Sequence, residues 1–405
     1  MLKRNLRAGV LYYTLFVALV MLLIVGLFVL IAYQEGFFMS NLKRSERISS
    51  YFSSALALCL ANPNPDNYSK KTTLFENDNE STLEIAQFKW GFYNVLTIKT
   101  TELPTQISKS YLVGITPNDT IRQTGLYLRN NYSYLSVSGS TLLTGRTYLP
   151  QSGIASSSIE GNGYTSDSLL YGLKLLSKDK LPSYYINRLE SVIGRLESIK
   201  SEGGMPTKLR NTSFSNPTSV IDISDNIPNL SIEGNVIIRS KNKLILNRKS
   251  KLKNVIVFAP SVYIENGFKG CCQIFATDTV IIQSGAVLHY PSGIAILSNS
   301  RGYLEVDSTS RIYGYAIVHS QDNAKIGLRI KSSAAIFGYT FCNSKVDHQG
   351  TVFGSLYAYG LEFRTGWGLY TSSLFNAKVL GRELSPCYLF PFVSPGRKAV
   401  IVNLP

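Results

Sequence analysis

Charge is scarce in this sequence: Asp, Glu, Lys and Arg make up 17% of 405 residues, against roughly 25% in an average globular protein. Five cysteines and three histidines are too few for a disulfide scaffold or a multi-ligand zinc fold. The signatures of common catalysts are missing as well: H-E-x-x-H, C-x-x-C, G-x-S-x-G and G-x-x-x-x-G-K-[ST] do not occur. The S-x-x-K matches at Ser40-Asn41-Leu42-Lys43 and Ser240-Lys241-Asn242-Lys243 are loose and flanked by segments unsuited to a buried dyad. Long apolar runs are also missing beyond one near the N-terminus, which excludes a polytopic membrane protein. Apolar residues are plentiful at 44%, and that excludes a disordered chain.

The one long run is decisive for placement. No charge occurs from Ala8 to Gln34, and Val10–Ala32 gives 23 residues, about 34 Å as a helix. That spans a hydrocarbon core of about 30 Å. The run is too long for a signal peptide's apolar stretch and ends at Ala32-Tyr33-Gln34-Glu35 without an A-x-A site. The expectation is an uncleaved, single-pass anchor in contact with lipid over residues 10–33. Lys3, Arg4 and Arg7 precede it directly, whereas Lys43, Arg44 and Arg47 follow at a distance. Proximity therefore puts residues 1–9 in the cytoplasm as a short basic tail, the span in the inner membrane and the ectodomain outside the cytoplasm.

Arg7-Ala8-Gly9-Val10 followed by an apolar helix resembles the start of a type IV prepilin or a type II secretion minor pseudopilin. The resemblance covers about 30 residues and implies cleavage after Gly9, with Val10 as the first mature residue. Those families usually hold glutamate at the fifth mature position; here it is Thr14.

Beyond the anchor, residues 34–62 carry Phe37, Phe38, Met39, Leu42, Ile48, Tyr51 and Phe52 at mixed spacings of 3 and 4, up to Asn62-Pro63-Asn64-Pro65. They read either as a helix continuing into a stalk or as a juxtamembrane linker. Residues 74–165 alternate apolar and polar in short runs, a β-rich region. Residues 180–202 hold Ile186, Leu189, Val192, Ile193, Leu196 and Ile199 at helical spacing before Gly203-Gly204, a helical insertion. Residues 376–405 remain as a C-terminal tail.

In residues 216–375 a glycine followed by an apolar strand recurs at Gly293, Gly314, Gly338 and Gly354, with two further short strands in each of the first two intervals. Three strands per unit suit an irregular β-helix, or β-solenoid, whose coils bury their apolar faces by stacking; a β-sandwich is the competing arrangement. Aligning the glycines puts Ser298, His319 and Asn343 in one column, and Leu297, Val318 and Cys342 in another. The strands after the glycines are apolar on both faces, so their outer side needs a cover. The pattern resembles carbohydrate-active β-helices and bactofilin-type polymers in general outline.

The acids of this region, Asp278, Glu305, Asp307, Asp322 and Asp347, share no aligned column, so no acid–base pair is assigned. His319 and Asp347-His348 do not make a metal site, and Cys271-Cys272 and Cys342 read as packing residues. No catalytic residue, metal ligand or cofactor is assigned. Charge runs +15 overall, and seven cations lie within fifteen residues: Arg239, Lys241, Lys243, Arg248, Lys249, Lys251 and Lys253. They read either as a solvated face that deters edge pairing or as a contact for anionic lipid headgroups, acidic polysaccharide or a negative partner; nucleic acid is not expected. The fold expected is mainly β: a transmembrane helix, then a β-solenoid ectodomain with one helical insertion. The function expected is a non-catalytic structural or assembly component of an envelope apparatus with protein partners; the alternative is an anchored protein that binds or cleaves an acidic polysaccharide.

Overall fold

The computed structural model describes residues 8–61, 68–72, 81–102, 105–183, 185–200, 209–224, 226–227, 229–392 and 396–404. Lys3, Arg4 and Arg7, the Asn62–Pro65 helix stop and the Gly203–Gly204 stop lie outside the described residues.

One continuous helix, Ala8–Ala61, covers the expected anchor and the segment after it. Its 54 residues make about 81 Å. No proline interrupts it, and its N-terminal part is rich in Leu, Val and Ile. Residues 9–43 are exposed throughout, and among the described residues this is the one helix long and apolar enough to cross a membrane. Past residue 47 the pattern changes. Ile48, Tyr51, Phe52 and Ala55 recur at spacings of 3 and 4 and are buried, as an amphipathic stripe requires.

That stripe rests on an antiparallel sheet with strand order Tyr68–Thr72, Ser81–Trp90, Tyr93–Glu102, Thr105–Pro117, Gly396–Leu404. Leu83, Ile85, Leu96, Ile98 and Val113 face the helix. Gly396–Leu404 pairs with Thr105–Pro117, so the segment read as a C-terminal tail supplies a sheet strand. The strands alternate apolar side chains between two buried faces, and the opposite face presents Trp90, Tyr93, Val95 and Leu112 to the rest of the protein.

The remainder is built of parallel strands stacked into a solenoid. The stack can be followed down one interior column, each member paired with the next: Ile221, Ile238, Val257, Ile274, Ile294, Ala316, Thr340, Leu356 and Leu126. The interior cluster is aliphatic apart from Phe268, Cys272 and Cys342, because a narrow coil has room for branched chains and little for rings. Buried apolar side chains of this kind each stabilise by about 1.5–3 kcal/mol.

Register corrects the alignment read from sequence by one position. Gly314, Gly338 and Gly354 do stack, but their neighbour in the preceding coil is Ser292; Gly293 pairs with Tyr315. Leu297 therefore sits beside His319, and Ile296 beside Val318 and Cys342, while Ser298 sits beside Ser320. The glycine column has a steric cause. Gly314, Gly338 and Gly354 have φ of 154°, 132° and 122°, and a Cβ at each would collide with the carbonyl oxygen of the coil before.

The last coils come from earlier in the chain. Thr124–Leu128 stacks on Thr351–Arg364, Leu142–Leu149 on Lys378–Leu380, and Tyr171–Leu176 on Leu142–Leu149. The region read as one β-rich stretch over 74–165 thus divides: its first half is sheet, its second half is solenoid. The insertion is a helix over Ile186–Ser198 with Leu189, Val192, Ile193 and Leu196 buried. Together with Trp90, Phe92, Tyr93, Tyr185 and Phe390 it covers the outer apolar column Phe258, Phe275, Ala295, Ile317 and Phe341. The cover that the two-sided apolar strands require is therefore supplied by the chain itself.

Candidate functional site

Two polar side chains fasten the helix-and-sheet unit, Gln273 to the solenoid and Arg188 to the helix Ile186–Ser198 that covers it. The turn between Ser81–Trp90 and Tyr93–Glu102 consists of Gly91 and Phe92, and it lies against Gln273. Gln273 Nε2 donates to the Trp90 carbonyl at 2.9 Å, and its Oε1 accepts from the Phe92 amide at 2.9 Å and the Tyr315 hydroxyl at 2.8 Å. Gly91 has φ 61°, and a Cβ there would run into the Gln273 amide. From the other side, buried Arg188 donates to the carbonyls of Gly91 (3.1 Å) and Tyr93 (2.6 Å) and to Asn94 Oδ1 (2.7 Å), with the Phe392 ring 4.8 Å from its guanidinium. A buried guanidinium is tolerable only when its donors are satisfied in this way. Nothing in the sequence pattern marks Gln273 or Arg188; each looks like an ordinary polar residue until the packing is known.

The basic run Arg239–Lys253 does not form one face. Arg239 ends the strand Val236–Arg239, a bend follows, and Lys243 opens Lys243–Leu246. Arg239 is committed to structure: it grips Asp222 through two hydrogen bonds of 2.7 and 3.1 Å and donates to the carbonyls of Leu196, Glu197 and Ile199, which end the amphipathic helix. Cations at that position also suit the helix dipole. Lys253 pairs with Glu233 one coil away at 2.7 Å, and Lys243 lies 4.0 Å from the Tyr263 ring centroid. Lys241, Arg248, Lys249 and Lys251 are exposed. In the S-x-x-K match at Ser240–Lys243, Ser240 donates to the Ser224 carbonyl at 2.7 Å while Lys243 points to Tyr263, so it is no dyad.

The acids of the solenoid are engaged by cations or hydroxyls. Glu305, Arg329 and Asp347 occupy one register column on successive coils. Arg329 lies 3.1 Å from Asp347 and 4.0 Å from Glu305, while Lys331 lies 2.8 Å from Glu305 and 3.2 Å from Asp307. Burial pushes the Glu305 carboxyl up, but hydrogen bonds from Lys331 and Tyr303 and the nearby charges outweigh it and hold it below its ordinary value. Asp322 is 3.7 Å from Lys325, and Asp278 accepts from Ser261 at 3.5 Å. Among the described residues no group of three His, Cys, Asp or Glu is placed to hold a metal ion.

His319 is half-buried with Nδ1 3.1 Å from the Tyr185 hydroxyl. His348 is buried, its Nε2 donating to the Lys378 carbonyl at 3.1 Å. Burial, partly opposed by that hydrogen bond, drives its pKa down to about 4. Cys272 points inward and Cys271 outward, as neighbours in a strand do; all five cysteines are free thiols. Gly9 lies at the bare start of the long helix with nothing near where a Cβ would sit.

A cleft that no motif announced lies on the face that carries these ion pairs. It measures about 370 Å³ and is walled by Arg301, Lys325, Arg329, Lys345, Glu362 and Arg364. Beside it the hairpin formed by Thr351–Arg364 and Leu369–Thr371 carries Trp367 at its turn, 93% exposed.

These features define a class: a mainly β protein, built round a β-solenoid and led by one long apolar helix. No family model matches the chain, and no curated protein matches it. Among solved structures, the crystal structure of the competence-associated pilin ComZ from Thermus thermophilus aligns with 84% of this chain and 86% of that chain, at 7% identity and a TM-score of 0.25. A superposition that loose carries no argument about fold or function.

Proposed function

We propose that the protein is a membrane-anchored, non-catalytic subunit of a cell-envelope assembly, pilin-like in its use of the N-terminal helix. The observation that carries this reading is the length of bare apolar helix. Val10–Ala32 suffices to cross the bilayer, yet Phe37, Phe38, Met39 and Leu42 are also 64%, 62%, 58% and 43% exposed. They lie beyond the span and before the first residue that packs on the sheet, Ile48. Apolar surface left in water there is costly, and packing against helices of neighbouring subunits removes it. The solenoid is then the part displayed outside the cytoplasm, held in fixed orientation by the Gln273 and Arg188 contacts.

Gly9 supports the processing step. No close approach requires a glycine at this position. Intact mass of the mature protein is expected to begin at Val10, and Gly9→Val is expected to block that cleavage. Phe38→Cys in membranes is expected to give a crosslinked species through a homobifunctional thiol reagent in a Cys59→Ser, Cys387→Ser background. A protein that starts at Met1 and stays uncrosslinked through position 38 contradicts the reading.

A further inference from the structure

We propose that the cleft walled by Arg301, Lys325 and Arg364 binds a chain of acidic sugars, with Trp367 as its apolar platform. This inference does not depend on the assembly reading.

The cations of the cleft fall into two kinds. Arg329 and Lys345 neutralise carboxylates that are nearly sealed from water: Asp347, 3% exposed, at 3.1 Å, and Glu362, 6% exposed, at 2.6 Å. They hold the coils together. Arg301 has no carboxylate partner within 4 Å among the described residues; it reaches only the Ile326 carbonyl at 3.3–3.4 Å and stands 5.1 Å from the Tyr303 ring centroid. Lys325 and Arg364, 65% and 62% exposed, each meet a carboxylate only at 3.7 Å, and for Arg364 that carboxylate is the one Lys345 already holds more closely. Arg301 is therefore open to a ligand, and Lys325 and Arg364, exposed and only loosely paired, can turn to one.

Their placement suits an extended chain. Arg301 precedes Tyr303–Val306 and Lys325 precedes Ile326–Ile330, strands that pair with each other, while Arg364 ends Thr351–Arg364, which the end of Ala335–His348 separates from Ile326–Ile330. Stacked strands repeat at about 4.8 Å, so the cations are spread along the solenoid axis rather than bunched at one point. A volume of about 370 Å³ lies within the range of small-molecule sites and holds a short stretch of a narrow chain. The turn that carries Trp367 is pinned, since Thr365 Oγ1 accepts from the amides of Trp367 and Gly368 at 3.2 and 3.1 Å. An exposed indole on the hairpin whose Arg364 and Leu369 line the cleft offers a flat apolar surface with a polar edge, which matches the apolar face of a sugar ring.

The carboxylates beside the cleft decide between polyanions. Glu305, Asp307 and Asp322 lie on the same face. Duplex DNA, with one charge per about 1.7 Å, would set phosphates against them. A polysaccharide with one carboxylate per sugar leaves gaps that those acids can occupy.

The test uses full-length protein in nanodiscs of neutral lipid, with polygalacturonate and its methyl ester as probes. Polygalacturonate is expected to bind, with the ester at least about tenfold weaker and the difference shrinking as salt is added. The variant Arg301→Ser/Lys325→Ser/Arg364→Ser is expected to lose about tenfold or more. Trp367→Ala, at a site too exposed to affect folding, is expected to weaken binding of both probes. Lys241→Ser/Lys249→Ser/Lys251→Ser is expected to bind as the unmutated protein does. Equal binding of acid and ester, an unaffected cleft variant, or loss of binding in the Lys241 set overturns the proposal. So does displacement of polygalacturonate by a DNA duplex or by phosphatidylglycerol vesicles at lower charge concentration.

Discussion

The helix-and-sheet unit and the solenoid solve the same problem, covering apolar surface, by opposite means. In the first, among the described residues, a small cluster of eight buried side chains holds the helix to an antiparallel sheet built from neighbouring hairpins. In the second, forty-seven buried side chains form one continuous interior in which each coil depends on the coils either side. The sheet can lose a contact and keep its hairpins, because their pairing is local. The solenoid transmits any disturbance along its axis, because the same column positions recur in every coil.

Three substitutions sharpen that contrast. Gly338→Val is expected to have the largest effect, abolishing cooperative unfolding of the solenoid; it puts a branched side chain at φ 132° against the Gly314 carbonyl. Overpacking of this severity exceeds the 1–3 kcal/mol typical of milder cases, and thermal melts by circular dichroism report it. Phe52→Ala is expected to cost about 3–5 kcal/mol but only locally. Hydrogen exchange should quicken in Ser81–Glu102 while Lys251–Ile282 stays protected; equal loss in both would refute the division.

The smallest effect concerns pH. His348 is held unprotonated to about pH 4 in the folded state, whereas in the unfolded chain it takes up a proton near 6.5. Between those values the unfolded state binds more protons, so stability falls as pH falls, by ~3 kcal/mol across the window. His348→Gln, which can still donate to the Lys378 carbonyl, is expected to flatten chemical-denaturation midpoints between pH 6.5 and 4. The depressed carboxyls of Glu305 and Asp307 lose their stabilising charge only at lower pH, so the two effects separate.

What the sequence disclosed follows the same divide between local and distant. The long helix, the amphipathic helix and the coil strands were legible because each depends on a period within a few residues. The solenoid's register was misread by one residue at Gly293, where the glycine makes room for the Tyr315 ring rather than marking the coil corner that Ser292 occupies. The return of 124–176 to complete the stack could not be read, since nothing in Thr124–Leu128 names Leu356 as the partner of Leu126. The basic run drew attention by density in sequence, yet its members disperse around a coil. Arg301, Lys325 and Arg364, separated by 24 and 39 residues, converge only after folding.

That return has a consequence for the order in which the protein is made. Residues 124–176 leave the ribosome, and cross the membrane in the proposed topology, before the coils of 209–380 on which they stack exist. Their buried strands must wait exposed, which favours a binding partner or chaperone during that interval. The sheet, too, stays one strand short until residues 396–404 arrive to pair with Thr105–Pro117. Slow delivery of the second half should therefore lower the yield more than slow delivery of the first.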